Sequence, residues 1–164
     1  MVKLGIQVKC SLDNVTNLRP ADPEDFGWCF TLKCPQCMEE HNKDVFISKS
    51  ETCDIQGSRG TANFVMSCSF CKKHSSVDIL ENNAVYHLSD SEKFKTLMVA
   101  DFRGIEPVAF KADGEWKCSS ESSSKLFDIP DGAEMAKEGW YEYDEDAGCE
   151  VSVTEFETKI VKLK

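Results

Sequence analysis

Apolar and polar positions alternate most strictly at the start of the chain, where Val2, Leu4, Ile6, Val8, Cys10 and Leu12 share one parity and Lys3, Gln7, Lys9 and Ser11 the other. Successive side chains of a strand point to opposite faces, so this period of two predicts a long, half-buried strand. Asn14, Asn17, Pro20 and the run Asp22-Pro23-Glu24-Asp25 interrupt it, as turn residues do. Alternation returns with Trp28, Phe30 and Leu32 inward and Thr31 and Lys33 outward, and that strand delivers the chain to Cys34. After a polar loop, Val45-Phe46-Ile47 reads as a short strand and Gly57-Ser58-Arg59-Gly60 as a turn. Thr61 to Cys68 alternates again, and Val77-Asp78-Ile79-Leu80 leaves as another strand.

The polar stretch from Glu81 to Lys95 reads as a joint. Beyond it, Thr96 to Phe102 and Pro107 to Lys111 are predicted strands, with Pro107 confined to an edge or turn because it has no backbone donor. Glu115 to Cys118 has Trp116 and Cys118 on one face, and Ser119 to Ser124 is a loop. One short helix is predicted from Asp131 to Glu138, because Asp131 and Glu134 stand at capping-box spacing and Gly139 can take a left-handed stop. Cys149 to Val153 alternates, after which the apolar phase slips to Phe156 and Ile160, predicting a bulge before a C-terminal strand. Short strands, many turns and little helical periodicity together predict a mainly β fold of antiparallel sheets with at most one or two short helices. Similar residue use in the segments running from Gln7 to Trp28 and from Met98 to Trp116 suggests two related halves, 1–88 and 96–164, within one compact unit spanning 1–164.

Two hooks interrupt this β pattern, Cys34-Pro35-Gln36-Cys37 and Cys68-Ser69-Phe70-Cys71. Two cysteines separated by two residues can aim both sulfurs at one centre from a tight turn, and a second such turn completes a tetrahedron. Each hook follows a strand, so the site belongs at two hairpin tips. Cys34, Cys37, Cys68 and Cys71 are therefore the expected ligands of one Zn2+ per chain. Iron fits the same four-sulfur cage; a redox dithiol wants a single pair at a helix start beside a βαβ pattern, and paired disulfides want an oxidising compartment. His41 and His74 follow the hooks as alternative ligands. Four sulfurs leave no coordination position for water or substrate, so the metal reads as structural.

Nine cysteines cannot all pair, and five remain after the hooks: Cys10, Cys29, Cys53, Cys118 and Cys149. Free thiols imply a reducing compartment, the cytoplasm or the nucleus. No stretch reaches the roughly 18 apolar residues of a membrane span, and the N-terminal residues lack a signal-peptide pattern. The net charge is −10, concentrated in residues 101–164, which carry 16 acidic and 8 basic side chains against 13 and 11 in residues 1–100. This field disfavours nucleic acid, for which Lys72-Lys73-His74 is a small footprint. It favours a basic protein partner.

Four stretches then resemble one family, the small eukaryotic CXXC-motif-containing zinc-binding proteins. They are Leu12 to Pro20, the two hooks joined by Gly57 to Phe64, Phe102 to Val108, and Trp140 to Glu145, in the family's order across essentially the whole chain. The resemblance implies zinc on Cys34, Cys37, Cys68 and Cys71 and a mainly β fold of two related halves. It implies no reaction. Pro35 and Met38 depart from the pattern, standing where small residues, often glycine, flank the first hook.

The expectation is therefore a monomeric, non-enzymatic zinc protein that presents β surfaces to a partner, with Trp140-Tyr141-Glu142-Tyr143-Asp144-Glu145-Asp146 as contact, because aromatics anchor interfaces and carboxylates select basic partners. The bland reading of that segment is core aromatics beside solvated acids. The alternative function is metal or thiol handling, with exchangeable zinc or Cu(I) on soft thiolates. An enzyme finds no support in the Gly-x-Ser-x-Gly, phosphate-loop or His-Glu-x-x-His patterns. Arg59-Gly60 and Arg103-Gly104 could grip an anion, although such arginines more often tie their own turn to a nearby acid.

Overall fold

The alternating segment at the start of the chain forms β1 (Lys3–Asp13), which runs through the middle of a six-stranded antiparallel sheet in a computed structural model describing residues 2–41 and 43–163. The strands that follow are β2 (Val15–Pro20), β3 (Trp28–Lys33), β4 (Val45–Ile47), β5 (Cys53–Asp54), β6 (Thr61–Ala62), β7 (Phe64–Ser67) and β8 (His74–Glu81). After a 3-10 turn at Leu88–Asp90 come β9 (Lys95–Arg103), β10 (Glu106–Lys111), β11 (Trp116–Ser120), β12 (Leu126–Ile129), helix α1 (Gly132–Glu138), β13 (Trp140–Asp144) and β14 (Cys149–Lys162). The fold is mostly β and antiparallel, as the alternation predicts.

Sheet order is β13-β14-β1-β9-β8-β7, with small sheets β10-β3-β4 and β12-β11-β2 and a β5-β6 ribbon. This order maps onto itself when β1 to β4 are exchanged with β9 to β12, and β7 and β8 with β13 and β14. Each half lends one strand to the other's small sheet: β10 pairs with β3 and β2 with β11. The halves therefore interlock.

The core fills the space between these sheets. Ile6, Val8, Leu18, Trp28, Phe30, Leu32, Ile79, Leu97, Met98, Trp116 and Ile129 are almost wholly buried. Phe26 sets its edge against Trp28 and Trp116 at 5.1 and 5.5 Å between ring centroids, a favoured aromatic geometry. Helix α1 starts as its capping residues predict, the Asp131 side chain accepting the Glu134 N–H at 3.2 Å. The phase slip near the C-terminus is a bulge: Lys9 faces Glu157 but Ser11 faces Thr154, with Glu155 at φ 54° between them.

Ser119 and Ser120, read as loop, end β11, and β12 and β13 are strands the alternation does not predict; two further segments that differ from the expectation bear on the core. Asn14, Asn17 and Pro20, read as breaks, precede or lie within strand β2 (Val15–Pro20), because Asn14 and Asn17 adopt φ of 60° and 57° and offset the alternation while Val15 and Leu18 remain fully buried. The 81–95 joint is anchored: Leu18 and Tyr86 exchange backbone hydrogen bonds of 2.8 and 2.9 Å. The buried Tyr86 hydroxyl lies 2.6 Å from the Asp90 carbonyl and 2.7 Å from that of Lys93, and it accepts the Cys10 N–H at 3.3 Å.

Candidate metal centre

Each hook closes a hairpin, and both turns are built alike. β3 runs into Cys34, whose N–H donates to the Glu39 carbonyl and whose own carbonyl accepts from the Met38 N–H, both at 2.9 Å. β7 runs into Cys68, which makes the same two bonds at 2.9 Å with Lys73 and Lys72. Such a turn needs a left-handed residue after its second cysteine. Met38 and Lys72 both take φ of 66° there. Glycine would adopt this conformation freely, whereas a side chain raises its cost by roughly 1–2 kcal/mol. Met38 thus keeps the turn shape despite its departure from the family pattern.

The two turns bring Cys34, Cys37, Cys68 and Cys71 together, with all four sulfurs within 4.8 Å of one another. Across the hooks, the Sγ atoms of Cys34 and Cys71 are 3.6 Å apart, as are those of Cys37 and Cys68. Zn–S bonds of about 2.3 Å in a tetrahedron place sulfurs about 3.8 Å apart, so the cage fits one Zn2+. Cys34 and Cys68 are buried at the base, while Cys37 and Cys71 lie nearer the surface.

Backbone amides prepare the sulfurs for a cation. The Cys37 N–H, then that of Gln36, draws the Cys34 thiol down to about 6 against the opposing effect of burial. The Cys71 and Phe70 amides lower Cys68 in the same way. Cys37 receives the Glu39 amide, yet burial and the adjoining sulfurs push it up to about 12. Four thiolates cannot share this volume without a cation, and a dication stabilises all of them together.

Other candidate groups lie elsewhere. His74 Nδ1 bonds the Ser67 hydroxyl at 2.8 Å, and neither His74 nor His41 joins the sulfur cluster among the described residues. The Arg103 Nε donates to Asp101 at 2.8 Å, tying its own strand, and Arg59 lies in an exposed turn. Cys10 and Cys118 are pushed up to about 12 by burial and Cys29 to about 11, which makes them poor nucleophiles. In the acidic aromatic segment, Trp140 packs on Phe127 at 5.5 Å while Tyr141 and Tyr143 project outward, 67% and 48% exposed. Asp144 departs from the expectation of a solvated acid, being fully buried and hydrogen-bonded. The alternation of β13 gives no hint of this, because its neighbours Glu145 and Asp146 are exposed.

Comparison with known proteins agrees with the cage. The family model described as CXXC motif containing zinc binding protein, eukaryotic, matches residues 5–161. A UPF0587 protein of Schizosaccharomyces pombe is 38% identical over 162 residues, covering 99% of both chains. The CXXC motif containing zinc binding protein of Mus musculus is 36% identical over 164 residues, again covering 99% of each. The crystal structure of C1orf123 superposes with a TM-score of 0.88 at 34% identity, covering 98% of this chain and 99% of that one.

Proposed function

The chain belongs to the eukaryotic CXXC motif containing zinc binding proteins, and from that premise we propose that it is a non-enzymatic interaction module in which zinc organises one edge of the sheet and a basic protein partner docks on the other. The observation that carries this reading is the open edge of β13. It ends the six-stranded sheet, so among the described residues its outer N–H and C=O groups have no neighbouring strand, and Tyr141 and Tyr143 project beside them. Such an edge accepts an added strand from a partner. Exposed Glu142, Glu145, Asp146 and Glu150 around it select positive charge. Four sulfur donors complete a tetrahedral zinc, which supports a structural metal over a Lewis acid.

The test has two parts. Elemental analysis of protein purified without added metal is expected to give one zinc per chain. A photo-crosslinker at Tyr141 is expected to capture a basic partner, with capture falling at least tenfold in Tyr143→Ala plus Glu142→Lys at unchanged zinc content. Capture indifferent to those substitutions would remove the β13 edge as the docking surface. Zinc leaving freely from a fully ordered chain, or copper in its place, would turn the reading toward metal handling.

A further inference from the structure

The half without the cage repeats much of the architecture of the metal centre, although Ser124, in the place of Met38, does not take the left-handed backbone. At the cage, Gly104 (φ 77°) precedes β10, lent by the other half, and Glu106, two residues on, faces Lys33, the residue before Cys34. At the corresponding end of the second half, Asn14 (φ 60°) precedes β2, lent by the first half, and Thr16, two residues on, faces Ser119, the residue before Ser120. Ser120 thus occupies the place of Cys34. Its N–H donates to the carbonyl five residues on, that of Lys125 at 2.8 Å, as Cys34 does to Glu39. Its Oγ accepts the amides of Ser122 and Ser123 at 3.2 and 3.0 Å, as the Cys34 sulfur receives those of Gln36 and Cys37. The Lys125 N–H reaches the Ser123 Oγ at 3.2 Å, as the Glu39 amide serves Cys37.

The other turn matches as closely. Asp144 faces Cys149 across the hairpin, five residues on, and its carbonyl accepts from Gly148 at 2.8 Å, with Gly148 at φ 70° in the place of Lys72. The Asp144 Oδ1 accepts the Asp146 and Ala147 amides at 3.0 and 3.1 Å, as Cys68 receives those of Phe70 and Cys71. Its Oδ2 accepts the hydroxyls of Ser120 and Ser123, the latter at 2.8 Å.

From this correspondence we infer that residues 120–123 and 144–147 form a second pair of knuckles, equivalent to the zinc centre, in which the Asp144 carboxylate closes the two turns by hydrogen bonds where the first pair is closed by a cation. Ser120, Ser123, Asp144 and Ala147 stand where Cys34, Cys37, Cys68 and Cys71 stand. In the first pair four negative groups converge and require a dication. In the second a single negative group is surrounded by two hydroxyl and two amide donors, so the charge is satisfied with no ion. A buried carboxylate usually needs either a cation or several donors, and no cation pairs with Asp144 among the described residues. Metal dependence is therefore confined to one end of a symmetric scaffold.

The decisive experiment restores the sulfurs in the full chain: Ser120→Cys, Ser123→Cys, Asp144→Cys and Ala147→Cys together. The expected result is a rise from one bound zinc to two, with the sulfur-to-metal absorption of the cobalt-loaded protein doubling. A folded variant that still binds one metal overturns the equivalence. Should the fourfold variant fail to fold, Asp144→Ala in the otherwise native chain decides. The inference expects one zinc retained, Tm lowered by about 5–10 °C for a stranded buried donor set, and amide protection lost at 120–125 and 144–149. Zinc loss, or unchanged protection in those two turns, overturns it.

Discussion

Stripping the zinc tests how the fold divides its stability. Among the described residues between 34 and 75, Ile47 alone joins the buried apolar cluster, whereas β1, β3, β8, β9, β11 and β14 supply most of the rest. Burying one isoleucine contributes about 1.5–3 kcal/mol. Half-buried Val45, Phe64 and Met66 also pack against the core and each adds part of such an amount, whereas a structural zinc contributes on the order of 10–16 kcal/mol in small domains, so the metal outweighs the apolar packing of this segment. Chelation should therefore open 34–75 while leaving the remaining sheet closed. In hydrogen exchange followed by mass spectrometry, amides of β4 to β7 should lose protection by roughly a thousandfold or more, and those of β1, β9 and β14 should stay within about tenfold of the zinc-bound values. Uniform loss across the six-stranded sheet, or no loss between 34 and 75, would refute the reasoning.

Three further outcomes follow from single groups. Tyr86→Phe strands the Cys10 N–H and the carbonyls around the hydroxyl, and should lower unfolding free energy by about 1–3 kcal/mol in urea titration. Met38→Gly relieves a left-handed Cβ on an exposed turn, and after the entropic cost of glycine it should raise stability by about 0.5–1 kcal/mol, read as a higher chelator midpoint. The Ser120 hydroxyl chiefly, against burial and helped by Ser123 and the Ala147 and Asp146 amides, holds Asp144 below the usual carboxyl range. A depressed carboxyl contributes stability above its unfolded value of about 3.9 and loses it as pH falls from there through the folded value. Acid melting monitored below about pH 4 should accordingly be shallower in Asp144→Ala than in the native chain.

The alternating strands β1, β3 and β14 were legible because their period of two survives in the sequence, β9 because Leu97 to Ala100 is a continuous apolar run, and the four ligands because paired Cys-x-x-Cys spacing has few other uses. β2 was hidden by two left-handed asparagines, which look like turn residues and are indeed bent, though the chain continues as strand on either side of each bend. The 81–95 joint hid its anchor because a single buried tyrosine carries no periodicity. The Ser120–Asp144 cluster left no signal at all. Serine and aspartate are ordinary loop residues, and only the backbone of the sulfur cage shows what position they hold.

Zinc and the proposed docking edge stand at opposite ends of one sheet, and this separation makes a claim of its own. β7, which leads into Cys68, and β13 are the two terminal strands of the order β13-β14-β1-β9-β8-β7. Five spacings of about 4.8 Å place them about 24 Å apart. Between them, β1 with β14 and β9 forms the well-buried centre, which chelation is expected to leave closed. The β13 end carries its own clamp in Asp144, which needs no metal. A signal from zinc to β13 would have to pass through strands that do not change state, and coupling requires an element with two states biased by both sites. Partner affinity at β13, measured by titration calorimetry before and after chelation, should therefore change by less than about threefold, or under about 0.7 kcal/mol. A loss of tenfold or more would show that the interlocked halves respond as one unit and that zinc regulates the interface.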